Sequence, residues 1–109
     1  MKTVTVKDVA ISNAAPFALI CGPCQLETLE HARMLAEAIA AAAEAAGTRF
    51  IFKASFDKAN RSSLSGTRGV GIDEGLTILS KIGAEFGCPV LTDIHEISQC
   101  APVAQAVDI

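Results

Sequence analysis

Three short runs constrain the fold most: Phe17-Ala-Leu-Ile-Cys21, Arg49-Phe-Ile-Phe-Lys-Ala54 and Pro89-Val-Leu-Thr-Asp93. Each has the length of a strand and is apolar through its middle rather than alternating. Runs of this kind belong to a parallel sheet covered on both faces, because a sheet with one wet face leaves a period of two in the sequence. Between them the period becomes helical. From about Thr28 to Ala46, Leu29, Ala32, Leu35, Ala36, Ile39, Ala40 and Ala43 share one face and Glu27, Glu30, Glu37 and Glu44 the other, with Gly47 placed as a C-terminal stop. From about Asp73 to Phe86, Leu76, Leu79, Ile82 and Phe86 point inward and Gly87 ends the segment. A short helical stretch near Glu96 to Val103 leads to Ala106-Val-Asp-Ile109, the expected start of a fourth strand. Ahead of all this, Val4, Val6, Val9 and Ile11 alternate about Lys7-Asp8, which predicts a two-stranded hairpin.

After the hairpin the order is β-α-β-α-β-α-β, a parallel α/β arrangement. It suits a small doubly wound sheet or the opening part of a (β/α)8 barrel, which takes about 250 residues. Because Asp108-Ile109 falls inside an expected strand, the 109 residues are read as an N-terminal portion. An apolar content of 50% supports an ordinary core without disulfide staples. No apolar run approaches the roughly 18 residues of a membrane span, and MKTVTVKDVAISN lacks the apolar region of a signal peptide. The expectation is a cytoplasmic protein, not membrane-bound, with its four cysteines reduced.

The net charge of −3 speaks against a nucleic-acid partner, but the charge is unevenly spread. Residues 53–68 carry +3 and the rest of the chain −6. A basic island on an acidic chain suits a small anionic ligand.

In parallel α/β folds, ligands bind at the carboxyl ends of the strands. Here those ends carry Cys21-Gly-Pro-Cys24, then Lys53-Ala-Ser-Phe-Asp-Lys-Ala-Asn-Arg-Ser-Ser63, then Thr92-Asp-Ile-His-Glu96. The first matches the spacing of a dithiol redox site, so a thioredoxin-like oxidoreductase is one reading. That reading leaves the second segment unexplained, and the chain has no tryptophan before the motif. The second segment gathers two ammonium groups, a guanidinium, an amide and three hydroxyls, donors enough for phosphate or carboxylate. By composition alone it also fits a polar surface loop. The following Gly66-Thr-Arg-Gly69-Val-Gly71 lacks the spacing of a Walker loop and reads as a flexible turn.

KASFDKANRSS, with G-P-C-Q-L-E after the first strand and T-D-I-H-E after the third, closely resembles the 3-deoxy-8-phosphooctulonate (KDO-8-phosphate) synthases. The likeness runs through nearly the whole chain. It implies a (β/α)8 TIM barrel, with residues 1–12 as a hairpin covering the barrel's bottom and residues 13–109 as about the first three βα units. It also implies a homo-oligomer, tetrameric in that family. The family condenses phosphoenolpyruvate with arabinose 5-phosphate and water, releasing phosphate and forming the eight-carbon acid of lipopolysaccharide. The related DAHP synthases, which use erythrose 4-phosphate and carry a different lysine/arginine loop, are the alternative.

Carried over residue by residue, the resemblance sets Lys53, Ser55 and Lys58 beside phosphoenolpyruvate, with Lys58 also a proton donor near the reacting atoms. Asn60, Arg61 and Ser62 would hold arabinose 5-phosphate, Arg61 on its phosphate. Asp93 and His95 would face the sugar hydroxyls, and Glu96 would orient its neighbours. The cysteine after Gly-Pro, Cys24, marks the metal-dependent type, in which it is one ligand of a divalent transition ion such as Zn, Fe or Mn. The other ligands, a His, a Glu and an Asp, are expected beyond residue 109. The chain departs from the family at Leu64 to Arg68, where a histidine and an aromatic are common. Cys21, Cys88 and Cys100 match no functional position and are read as small apolar side chains, and His31 and Met34 as ordinary helix residues.

Overall fold

The computed structural model describes residues 2–57 and 69–109. The chain opens with β1 (Val4–Val6) and β2 (Val9–Ile11), an antiparallel pair in which Val6 faces Val9. The two-residue turn between them requires positive φ, and Lys7 adopts 51°.

The second sheet is parallel, in the order β3 (Leu19–Cys21), β4 (Phe50–Lys53), β5 (Val90–Leu91). Leu19 pairs with Phe50 and Phe52 with Val90. These strands are shorter than the apolar runs that contain them. Phe17, expected inside the first strand, lies outside it and is 77% exposed. Ile20 is also exposed, because β3 is the edge of the described sheet, whereas Ile51 and Phe52 on central β4 are fully buried. Burial on both faces therefore holds for β4 and around β5, where Pro89, Val90 and Thr92 are buried and Leu91 half-buried, and fails at β3. The expected fourth strand does not form among the described residues: Ala106, read as its first residue, is the last of the helix over Cys100–Ala106, and only Asp108 and Ile109 bond to the β5 segment. Asp108 N donates to Val90 O at 3.0 Å, Ile109 N to the same oxygen at 3.3 Å, and Thr92 N to Ile109 O at 3.3 Å.

Three helices connect these elements: α1 (Leu29–Ala45), α2 (Ile72–Phe86) and α3 (Cys100–Ala106), the last entered through a 3-10 turn over Ile97–Gln99. Thr28 caps α1 by accepting the His31 amide at 3.0 Å. Both long helices end where the sequence predicts, with Gly47 and Gly87 in the left-handed conformation that glycine takes without penalty. Helix α1 packs on β4 and α2, and α2 packs on β5 and α3. Between helices and sheet lies a core that includes Leu26, Phe52, Phe56, Leu79, Ile82, Val90 and Val103. The small residues Ala32, Ala36 and Ala43 are the buried positions of α1. On α2, Gly75 and Gly83 are buried beside Ile78, Leu79 and Ile82. A side chain at Gly75 would bring its Cβ within 2.4 Å of the Phe56 Cβ, so the helix reaches this depth only with glycine there.

The architecture is thus mixed α/β. The turn of the hairpin sits at the N-terminal ends of β4 and β5. Asp8 pairs with Arg49 just before β4, and Lys7 Nζ lies 3.5 Å from Cys88 O just before β5 and 3.6 Å from Asp108 Oδ2. All four cysteines are free thiols. Cys88 is buried as expected, and that burial pushes its thiol pKa up. Cys100, read from sequence as an apolar packing residue, instead stands exposed at the first position of α3.

Candidate active site

At the carboxyl ends of the strands, the end opposite the hairpin turn, three loops meet. Lys53 is the last residue of β4, and Ser55, two residues on, forms a parallel bridge with Gln25 from the loop after β3. Leu26 N donates to Ser55 O at 2.9 Å, which ties the two loops together. The close approach depends on Gly22: a Cβ there would stand 1.9 Å from Lys53 O. The glycine of C-G-P-C is therefore required by packing against β4. Cys24 lies exposed one residue before the Gln25–Ser55 bridge.

The side chains of Lys53, Ser55, Asp93 and His95 form one connected group. Lys53 Nζ donates to Ser55 Oγ at 3.3 Å, and Ser55 Oγ donates to Asp93 Oδ1 at 2.5 Å. The second carboxylate oxygen, Asp93 Oδ2, is 3.1 Å from His95 Nε2. Ser55 is 5% exposed, so its hydroxyl must find partners within the protein, and it has them. Burial alone would raise the Asp93 pKa. The Ser55 hydroxyl, the residue's own backbone N–H, and the charges of Lys53 and His95 together outweigh it and hold the carboxyl below its ordinary value. The group is a cation, a hydroxyl, a carboxylate and an imidazole, able to bind an anion and to hold or pass a proton.

Of the residues singled out in the sequence, Lys58, Asn60, Arg61 and Ser62 lie outside the described residues. Glu96 is the N-cap of the 3-10 turn: its carboxylate accepts the backbone N–H of Gln99. Two residues not singled out support the site. Phe56, 1% exposed, meets the His95 ring in a T-shaped arrangement with centroids 6.3 Å apart. The Gln99 amide oxygen accepts from His95 N at 2.8 Å and Glu96 N at 3.3 Å, fixing the turn that carries the histidine. The Glu-x-x-Gln spacing was a readable capping signal. Phe56, an aromatic flanked by polar residues, was a weaker one.

Across residues 1–109 the chain matches the DAHP synthetase I family. It belongs to that family. Among relatives within reach of this DAHP synthetase I chain, the 2-dehydro-3-deoxyphosphooctonate aldolase of Rickettsia canadensis is 49% identical over 108 residues, covering 99% of this chain and 39% of the relative. The proteins of the same name from Rickettsia bellii (48% identical) and Rickettsia rickettsii (49%) match over the same 108 residues and the same shares of each chain. The chain therefore spans about two fifths of the length of these relatives.

For a metal, the fit is partial. Cys24 offers an exposed thiol of the kind a transition ion prefers. Among the described residues no group of three or more His, Cys, Asp or Glu is placed to hold an ion. One thiolate does not make a metal site. No helix is long and apolar enough to cross a membrane among the described residues.

Proposed function

We propose that the protein is a 3-deoxy-8-phosphooctulonate synthase, joining phosphoenolpyruvate to arabinose 5-phosphate with addition of water and release of phosphate. The observation that carries this reading is the 48–49% identity, over 99% of the chain, to proteins named 2-dehydro-3-deoxyphosphooctonate aldolase. The cluster of Lys53, Ser55, Asp93 and His95 at one sheet end supports it, since both substrates are anions and the reaction moves protons. The family name alone would equally admit a DAHP synthase acting on erythrose 4-phosphate, but the relatives' printed names favour the eight-carbon product.

In this reading the three rim loops belong to a (β/α)8 barrel, with residues 1–12 capping its lower end, and the chain works as a cytoplasmic homo-oligomer. Lys53, with Ser55 beside it, faces the phosphoenolpyruvate carboxylate and phosphate, and Lys58 stands near the reacting carbon as a proton donor. Asn60, Arg61 and Ser62 hold the sugar phosphate. Asp93 and His95 address the sugar hydroxyls and the aldehyde that the enol carbon attacks. Charge-assisted bonds from Lys53, Lys58 and Arg61 orient the two anions against their mutual repulsion, which is where much of the rate gain of a bimolecular condensation arises.

Cys24 is proposed as one ligand of a divalent transition ion, with the others supplied by chain beyond residue 109. Such an ion would act as a Lewis acid toward a substrate or water oxygen. The test is chelation of the intact protein. Turnover of phosphoenolpyruvate with arabinose 5-phosphate is expected to fall by most of its value and return with added divalent ion, and Cys24→Ser is expected to lose the metal by elemental analysis. Undiminished turnover after exhaustive chelation would overturn the metal assignment.

A further inference from the structure

Three glycines meet Phe56. Gly71 N donates to its carbonyl oxygen at 3.2 Å, and Gly69, with φ at 119°, comes so near that a Cβ there would stand 2.4 Å from the same oxygen. From the other side, Gly75 of α2 admits the side chain, since a Cβ at that position would stand 2.4 Å from the Phe56 Cβ. Backbone and side chain are thus gripped separately, and the residue is 1% exposed. A core side chain packed this closely has little room to leave its rotamer.

Toward the site, the ring meets His95. The centroids lie 6.3 Å apart with the planes at 72°, the edge-to-face arrangement that aromatic rings prefer. The His95 backbone is held independently, by the Gln99 amide oxygen that accepts its N–H at 2.8 Å. With the main chain fixed, the imidazole keeps rotation about its own side-chain bonds, and 27% of its surface is open. Phe56 limits that rotation from the covered side.

We infer that Phe56 is a positioning residue, a fixed wall that sets the orientation of the His95 imidazole and, through it, the fit of the aldose phosphate. This inference rests on the reading of the site as that of a sugar-phosphate condensing enzyme, and deepens it by naming what holds the sugar side in place. Successive residues of extended chain point to opposite sides. One short segment therefore serves both substrates, Ser55 beside phosphoenolpyruvate and Phe56 against the imidazole that addresses the sugar.

The test is a double-mutant cycle on the intact protein. Phe56→Leu keeps an apolar side chain in the core and removes the ring. It is expected to lower kcat/KM for arabinose 5-phosphate roughly 10- to 100-fold, the scale of a misplaced functional group, while the KM for phosphoenolpyruvate changes less than about threefold. In a His95→Gln background the same substitution is expected to change kcat/KM for arabinose 5-phosphate by less than about twofold, because the group it acts through is gone. An undiminished loss in that background overturns the inference. So does no loss in the single variant, or an equal loss toward both substrates, which would make Phe56 a packing residue of the whole rim. Should Phe56→Leu not fold, Gly75→Ala, which keeps the ring but displaces it, is carried through the same cycle and judged by the same outcomes. Failure of the condensing-enzyme reading would appear separately, as absence of turnover in the wild type. A readout that does not need turnover is the proton resonance at His95 Cε1, identified by its loss in His95→Gln; Phe56→Leu is expected to shift it, and an unmoved signal overturns the inference.

Discussion

Asp93 is pulled in two directions. Burial favours its neutral form, and the Ser55 hydroxyl, its backbone N–H, Lys53 and His95 favour the anion and win. A carboxyl depressed on folding stabilises the native state above its unfolded pKa of about 3.9 and loses that contribution as pH falls through the lower folded value. We therefore expect a carbon-13 titration of the Asp93 carboxyl to show a midpoint below about 3.9. We also expect Ser55→Ala to move that midpoint upward, toward the ordinary value. A midpoint above about 4 in the wild type would mean that burial dominates. At the residue scale the sequence marked the candidate site residues, because Lys, Asp, His and Cys after strand ends stand out by type and place. It did not reveal how they pair. That Ser55 spends its proton on a residue 38 positions away depends on strand register, and no local pattern encodes it.

For helices and strands, the 3.6-residue period placed α1 and α2 within a residue or two, since their apolar stripes and terminal glycines are both local signals. Buried Gly75 and Gly83 escaped the same reading, because a pattern of apolar side chains cannot count residues that have none. Strand length was overestimated for a related reason. The run 17–21 is already apolar at Phe17 and Ala18, before β3 begins at Leu19, the run 89–93 gives β5 only Val90 and Leu91, and edge strand β3 has a described partner on one side only. Two glycine contacts separate close packing from mere helix preference. Gly75→Ala is expected to destabilise the fold by about 1–3 kcal/mol in denaturant midpoint, because its Cβ would stand 2.4 Å from Phe56, which in turn lies against His95. Gly83→Ala, whose nearest contact is the Val90 methyl at 3.3 Å, is expected to change stability by less, since the helix preference of alanine, up to about 1 kcal/mol, offsets mild crowding. Equal losses at the two sites would contradict this account of how deeply α2 sits at Gly75.

For the molecule as a whole, the order of elements was legible because a parallel sheet forces strands and helices to alternate and places ligands at one end. The basic island was legible from charge alone, although residues 58–68, which carry three of its four cations, lie outside the described residues. The C-G-P-C motif was the misleading feature. Its glycine serves the approach of the first loop to Lys53, and its two cysteines differ in setting, Cys21 half-buried at the end of β3 and Cys24 exposed in the loop beyond. Which aldose the site accepts is decided by turnover with two sugar phosphates side by side. With phosphoenolpyruvate held constant, the intact protein is expected to release phosphate and form the eight-carbon acid with arabinose 5-phosphate, at a kcat/KM well above that for erythrose 4-phosphate. Preference for erythrose 4-phosphate, or no phosphate release with either sugar, would contradict the proposed function.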